Sequence, residues 1–218
     1  VIAQGENVNF DTCTPVAFTT TDIPLQITGL TPQTTYTLAI RSVCSDDYSV
    51  WSDPVVFRTW AIPTPMPYTT GFEDAEDNDA WYISGTPGLQ WAIGTATFEG
   101  EGESGTSAYV SSDRGQSYHT NVIMGGSKQY LWRDFDFGTE GDHYTLSFSW
   151  KGEGDVYNTN NLNGGLAVII QDISDPMPQT VTYPPSGDVI AILYGHTDWT
   201  TERIALPDIS GVKRLIFF

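Results

Sequence analysis

The stretch Tyr144-Thr145-Leu146-Ser147-Phe148-Ser149-Trp150 decides the fold class. Tyr144, Leu146, Phe148 and Trp150 recur at every second position, and Thr145, Ser147 and Ser149 fill the gaps. Successive side chains of a strand point to opposite faces, so this segment is a strand with one core face and one wet face. Upstream, Leu131-Trp132-Arg133-Asp134-Phe135-Asp136-Phe137 alternates too, with Leu131, Phe135 and Phe137 set against Trp132, Asp134 and Asp136. Gly138-Thr-Glu-Gly-Asp142 reads as the turn between them. Leu166 to Ile170 and Val189 to Leu193 are continuous apolar runs, the pattern of strands in the middle of a sandwich. Glycine-rich loops at 100–105 and 158–165 separate these elements, and no segment carries a helical period. The chain is therefore all-β, and its second part reads as a jelly roll of two sheets.

Toward the N-terminus a smaller β module occupies residues 1 to 60. In Tyr36-Thr-Leu-Ala-Ile-Arg-Ser-Val-Cys44 the residues Tyr36, Leu38, Ile40 and Cys44 fall on one side, which predicts a core face. Leu25 to Leu30 reads as a shorter strand, Thr31-Pro32-Gln33-Thr34 and Asp46-Asp47 as turns, and Val55-Val-Phe57 as a closing strand. Between the modules, prolines 63, 65 and 67 predict an extended, semi-rigid spacer over residues 61 to 67. The second module then covers 68 to 218.

The chain carries 9 Lys+Arg against 27 Asp+Glu, a formal net charge of -18. A field of that sign repels phosphate backbones and anionic lipid, which argues against nucleic acid as a partner. The longest apolar runs are far below the ~20 residues a membrane-spanning helix needs, so no membrane insertion is expected of this segment. The opening Val1-Ile2 and the closing Arg214-Leu-Ile-Phe-Phe218 both stop within strand-like pattern, as expected of a fragment of a longer chain. Scarce lysine and abundant Thr, Ser, Asn, Gly and Tyr are the composition of secreted β proteins. Two cysteines, Cys13 and Cys44, allow one disulfide, and a buried free thiol at the inward-facing Cys44 is the other reading.

Two resemblances bear on the organisation. Gly29-Leu-Thr-Pro-Gln-Thr-Thr-Tyr36, followed by Ile40-Arg-Ser-Val43 and Trp51-Ser-Asp-Pro54, resembles the last strands of a fibronectin type III domain. That implies a tyrosine corner at Tyr36, whose hydroxyl bonds to upstream backbone. Such a domain runs about 100 residues, so its first strands are missing here. Gly71-Phe72-Glu73, Trp91-Ala-Ile-Gly94, Ser107 to Asp113 with Gly115, Trp132-Arg-Asp-Phe135, Tyr144 to Trp150 with Gly152-Glu-Gly154, and Val212 to Phe217 follow in an order similar to the cleaved-adhesin or choice-of-anchor type J jelly roll. Those domains, MAM-like in outline, occur in secreted and surface proteins of Bacteroidetes, and the family's last strand is missing at this C-terminus. The resemblance implies a cell-surface or secreted, outer membrane-associated adhesion module.

Candidate chemistry concentrates in few places. Glu73, Asp74, Glu76, Asp77 and Asp79 put five carboxylates into seven residues, which repel one another unless solvated or bridged by a hard cation. The jelly-roll resemblance implies a structural Ca²⁺ near Glu73, with Asp74 and Asp77 as further ligands; a solvated acidic loop is the alternative. His119, His143 and His196 lack metal-ligand spacing, and no nucleophile elbow is present, so catalysis is not expected. Ser111-Ser-Asp-Arg-Gly-Gln-Ser-Tyr118 matches the Asp box of sialidases, a structural hairpin motif in which the Asp braces the turn through backbone amides and the aromatic plugs the core. A single copy implies one braced turn and no propeller. Trp81, Tyr82, Trp132, Trp199, Tyr109 and Tyr118 are candidate sugar-stacking residues, led by Trp132 because alternation sets it opposite Leu131 and Phe135. The sequence thus predicts a non-catalytic module that binds an extracellular glycan or a host or surface protein. The alternative is a carbohydrate-binding accessory region of a multidomain glycoside hydrolase or peptidase.

Overall fold

A computed structural model of the chain describes residues 1–10, 12–45, 47–86, 88–99, 105–118, 127–153, 155–158, 161–181 and 184–218, with backbone alone at 155–158, 161–163 and 207. Asp46, residues 100–104, His119, Gly154 and residues 159–160, which figure in the sequence reading, lie outside the described residues. The chain divides into two compact units, Val1–Ile62 and Pro63–Phe218.

The first unit holds β1 (Ile2–Gln4), β2 (Thr35–Leu38), β3 (Val43–Cys44), β4 (Asp47–Tyr48) and β5 (Val55–Arg58). β2 lies between β1 and β5, antiparallel to both, and β3 pairs with β4. Ile2, Tyr36, Thr37 and Ala39 are its buried residues. The Tyr36 hydroxyl accepts a hydrogen bond from the Thr31 amide at 2.9 Å, five residues upstream. The expected core face nonetheless stops at Leu38. Ile40 and Cys44 are exposed because the chain leaves the ladder there: the Ile40 amide donates to Ser52 Oγ and the Ser42 amide to Ser49 Oγ. Hydroxyl acceptors have replaced strand carbonyls, and once pairing ends the period-2 rule no longer assigns faces. Residues 25–30 form no strand either.

The second unit comprises β6 (Thr64–Pro65), α1 (Ala75–Asn78), β7 (Tyr82–Gly85), β8 (Gln90–Gly94), β9 (Ser107–Ser111), β10 (Gln129–Asp136), β11 (Asp142–Gly152), β12 (Asp155–Asn158), β13 (Asn161–Asn163), β14 (Leu166–Asp172), β15 (Val189–Leu193), β16 (His196–Ile209) and β17 (Val212–Phe217). One sheet runs β15-β14-β17-β10, with β6 and β7 sharing the far side of β10. The proline-rich segment expected as a spacer thus enters the unit: Thr64 and Pro65 pair in parallel with Phe135 and Asp136. Facing this sheet are the ribbons β8–β9 and β11–β16. Trp81, Trp91, Leu131, Phe135, Phe137, Val168, Leu206, Ile209 and Leu215 form the core between the layers. Gly138 to Asp142 therefore carries the chain from one layer to the other instead of closing a hairpin.

A second cluster covers the other face of the six-stranded sheet. Tyr130, Trp132, Ala167, Ile169 and Ile216 are buried there beneath Tyr82, Met177, Val181, Val189 and Ile192. Segment 173–181 is held down by Tyr130 Oη donating to the Pro178 carbonyl at 2.7 Å and by Gln171 Nε2 donating to the Asp175 and Pro176 carbonyls. With both faces covered, β10 and β14 are buried along most of their length, whereas β11 keeps the alternation expected of a strand with one wet face.

Candidate functional site

The wet face of β11 and its partner β16 form the site. The register sets Thr145 opposite Ala205, Ser147 opposite Arg203 and Ser149 opposite Thr201. Ser149 Oγ and Thr201 Oγ1 lie 3.3 Å apart. Beyond Trp150 and Thr200 the register shifts, and Gly152 next meets His196. At this irregular end Lys151 Nζ stands 5.1 Å from the Trp199 ring centroid and 4.6 Å from that of Tyr118. A cation held between two ring faces is attracted by both quadrupoles. The result is an aromatic-ammonium-aromatic cluster beside a row of hydroxyls.

Tyr118 arrives through the turn after β9. Asp113 is its brace: Oδ1 accepts from the Ser117 amide at 2.9 Å and from Ser111 Oγ at 2.7 Å, and Oδ2 accepts from Ser117 Oγ at 2.7 Å. Ser111 Oγ in turn accepts from the Gly115 amide at 2.9 Å. The Ser111 and Ser117 hydroxyls, followed by backbone amides, hold the Asp113 carboxyl down to about 2. Gly115 sits at φ +87°, where a Cβ would also press on Ala92 at 3.1 Å, so glycine is required at this turn. The aromatic position differs from the sequence expectation. Tyr118 is 41% exposed and lies against Lys151, while Tyr109 is the buried residue, its hydroxyl donating to the Gly115 carbonyl at 2.7 Å.

Trp132 is not a platform. It is 5% exposed, stacks on Tyr82 with ring centroids 4.4 Å apart, and lies under the Arg214 guanidinium at 4.0 Å. Arg214 is fixed there by two bonds to Asp134, at 2.8 and 3.0 Å. Alternation correctly set Trp132 opposite Leu131, but the face it occupies is the second core. Trp81 is likewise buried, with Nε1 donating to Tyr68 Oη. Trp199, half-buried beside Lys151, is the candidate the fold leaves presented.

The acidic stretch is divided among three tasks. Glu73 accepts from the Thr106 amide at 2.7 Å and from Thr106 Oγ1 at 2.9 Å. Asp74 is the N-cap of α1, its Oδ1 accepting from the Glu76 amide at 3.0 Å and the Asp77 amide at 3.4 Å. Asp77 turns inward to Arg133, 2.8 Å away, and accepts from Tyr68 Oη at 2.5 Å. Burial pushes the Asp77 carboxyl up, but the bonds from Arg133 and Tyr68 outweigh it and leave the group below the ordinary carboxylate range. Burial, followed by the bond to Asp77, raises the Tyr68 hydroxyl. Among the described residues no group of three or more His, Cys, Asp and Glu side chains is gathered as a metal would require. Cys13 and Cys44 are both free thiols, half-buried and exposed respectively, so of the two readings the free thiol holds, though not as a buried one. Cys44 sits on the two-residue strand β3, paired with Asp47 and not facing a core.

Other residues line two hollows, Val8, Phe10 and Trp51 in the first unit and Met66, Asp136, Glu140 and Tyr144 in the second. Both are open to solvent. Lys151 and Thr201 are site residues that the sequence reading did not single out; the Tyr144–Trp150 alternation, continued by one step, places Lys151 on the wet face. Comparison with protein-family models, curated proteins and solved structures finds no match. The class is set by the architecture: an all-β protein whose larger unit is a two-layer sandwich with an outward aromatic and hydroxyl-bearing ribbon.

Proposed function

We propose that this chain is a non-catalytic binding module of a larger secreted or cell-surface protein and that it holds an extracellular glycan on the outer face of β11–β16. The observation that carries the reading is the Trp199–Lys151–Tyr118 cluster beside the Ser149–Thr201 hydroxyl pair. A saccharide offers an apolar C–H face and a rim of hydroxyls, and a site pairing aromatic surface with a few placed polar groups matches both. The carboxylates most strongly engaged, Asp77 and Asp113, are consumed in holding a buried arginine and a turn, which favours binding over acid–base chemistry. The resemblance of residues 68 to 218 to adhesin jelly rolls, and of residues 1 to 60 to fibronectin type III, supports a place at the cell surface.

A glycan array probed with the intact chain, with Trp199→Ala in parallel, tests the reading. Binding that is lost in Trp199→Ala at an unchanged melting temperature supports it. Silence across the array, or binding indifferent to the substitution, overturns it.

A further inference from the structure

The distribution of cations over the second unit is uneven in a way the glycan reading does not require. Of the nine Lys and Arg residues, Arg41 and Arg58 belong to the first unit, leaving seven. Arg133 is paired with Asp77, Lys213 with Asp172 and Arg214 with Asp134, while Lys128 donates to Gln179. Arg114, Lys151 and Arg203 remain, and among the described residues none of the three has a carboxylate partner. All three belong to the elements that build the ribbon face. Lys151 and Arg203 project from its outward side, and Arg114 is in the turn that delivers Tyr118.

The same face is depleted of the opposite sign. Its regular outward rungs are Thr145 with Ala205, Ser147 with Arg203 and Ser149 with Thr201, without a single carboxylate in a chain that has 27. Glu202 belongs to the inward side, opposite Phe148, and Asp113 is consumed by its own turn. Exposed Glu153 and Asp198 stand, like Lys151 and Trp199, beyond the last regular rung. A cation without a counter-ion gains a charge-assisted bond from an anion set beside it, whereas a neutral sugar offers none. From Trp199 to Arg203 is four residues of strand, about 13 Å, so both charges meet an oligosaccharide and not a single ring.

Resting on the Trp199 reading, we infer that the ligand of this face is an acidic glycan, with carboxylate or sulfate groups received by Lys151 and Arg203 while a ring packs on Trp199. Lys151, fixed between two rings, is preorganised for such a group and loses little side-chain freedom on binding.

The test is calorimetric titration of the intact chain with a galacturonic acid tetrasaccharide, its uncharged methyl ester, and a sulfated heparin-derived tetrasaccharide. A charged probe is expected to bind at least about tenfold more tightly than the ester, the worth of one charge-assisted hydrogen bond. Lys151→Met should remove that preference, Lys151→Arg should keep most of it, and Arg203→Gln should weaken the charged probes alone. Preference for the uronate, for the sulfated sugar or for both supports the inference and identifies the anionic group. Equal binding of acid and ester, lost in Trp199→Ala, overturns the acidic-ligand inference and leaves the glycan reading standing. Binding of none of the three overturns the acidic-ligand inference, and a silent array beside it overturns the glycan reading too.

Discussion

Replacing Asp77 by Ala probes how the N-terminal segment of the second unit is fastened to its sheet. Arg133 has its side chain 7% exposed and Asp77 26%. The guanidinium donates to Thr64 Oγ1 at 2.7 Å, Tyr68 Oη at 2.8 Å, the Asp77 carbonyl at 3.1 Å and Asp77 Oδ1 at 2.8 Å. It also lies 4.4 Å from the Tyr68 ring centroid. Asp77→Ala removes the one counter-charge and strands a cation where water barely reaches, which costs about 3–5 kcal/mol. Arg133→Met has a different consequence. Its apolar stem stays among the Tyr68, Trp81 and Phe135 rings, and the carboxylate left behind is open enough to be hydrated, so the loss is about 1–3 kcal/mol. The double variant should resemble Arg133→Met, which makes the coupling as large as the Asp77→Ala cost itself, about 3–5 kcal/mol. For a unit of this size Asp77→Ala then lowers the melting temperature by roughly 6–20 °C. Urea unfolding of the intact chain and its three variants, with calorimetry on the same samples, measures all four corners of the cycle. Strict additivity, or an Arg133→Met variant less stable than Asp77→Ala, would refute the account of Arg133 as a buried charge dependent on Asp77.

The remaining predictions concern acid, calcium and thiols. Asp113 and Asp77 both have folded pKa values below those of the unfolded chain, so their contribution is present above about pH 4 and is lost as pH falls toward 2; melting curves over that range should show a steep acid limb that is shallower in Asp113→Asn. Glu73, Asp74 and Asp77 already accept from protein donors in three different directions, so Ca²⁺ and EDTA should give the intact chain the same melting temperature. A site filled at a hundredfold excess over its Kd would instead raise it by roughly 5–11 °C, and a shift of that size would show a metal set that these side chains do not explain. Thiol titration of the native protein should count two free cysteines, with Cys44 reacting faster than the half-buried Cys13; a Cys13–Cys44 linked peptide in a non-reducing digest that is lost on reduction would contradict the unbonded pair.

The division between what is local and what is not runs through particular residues. The strand at 144–150 was legible because a two-residue period is a property of the chain itself, and β11 carries it from Tyr144 to Trp150. The Asp113 turn was legible for the same reason, since every bond that braces it spans four residues or fewer. Alternation could also say that Trp132 opposes Leu131. It could not say that segment 173–181 and Tyr82 would close over that side, because burial on the second face is contributed by residues distant in sequence.

The acidic stretch shows the limit most clearly. Five carboxylates in seven residues announce a charge problem in the sequence, but the solution for Asp77 is Arg133, 56 residues away. The all-β class, the wet face that carries Lys151 and the braced turn were determined by the sequence alone, through backbone periodicity and short-range hydrogen bonding. Which tryptophan is presented, which carboxylate turns inward to an arginine and which cations lack carboxylate partners were decided only by tertiary structure. Those properties depend on what the folded chain brings alongside each side chain, and dielectric environment and charge pairing have no representation in local order.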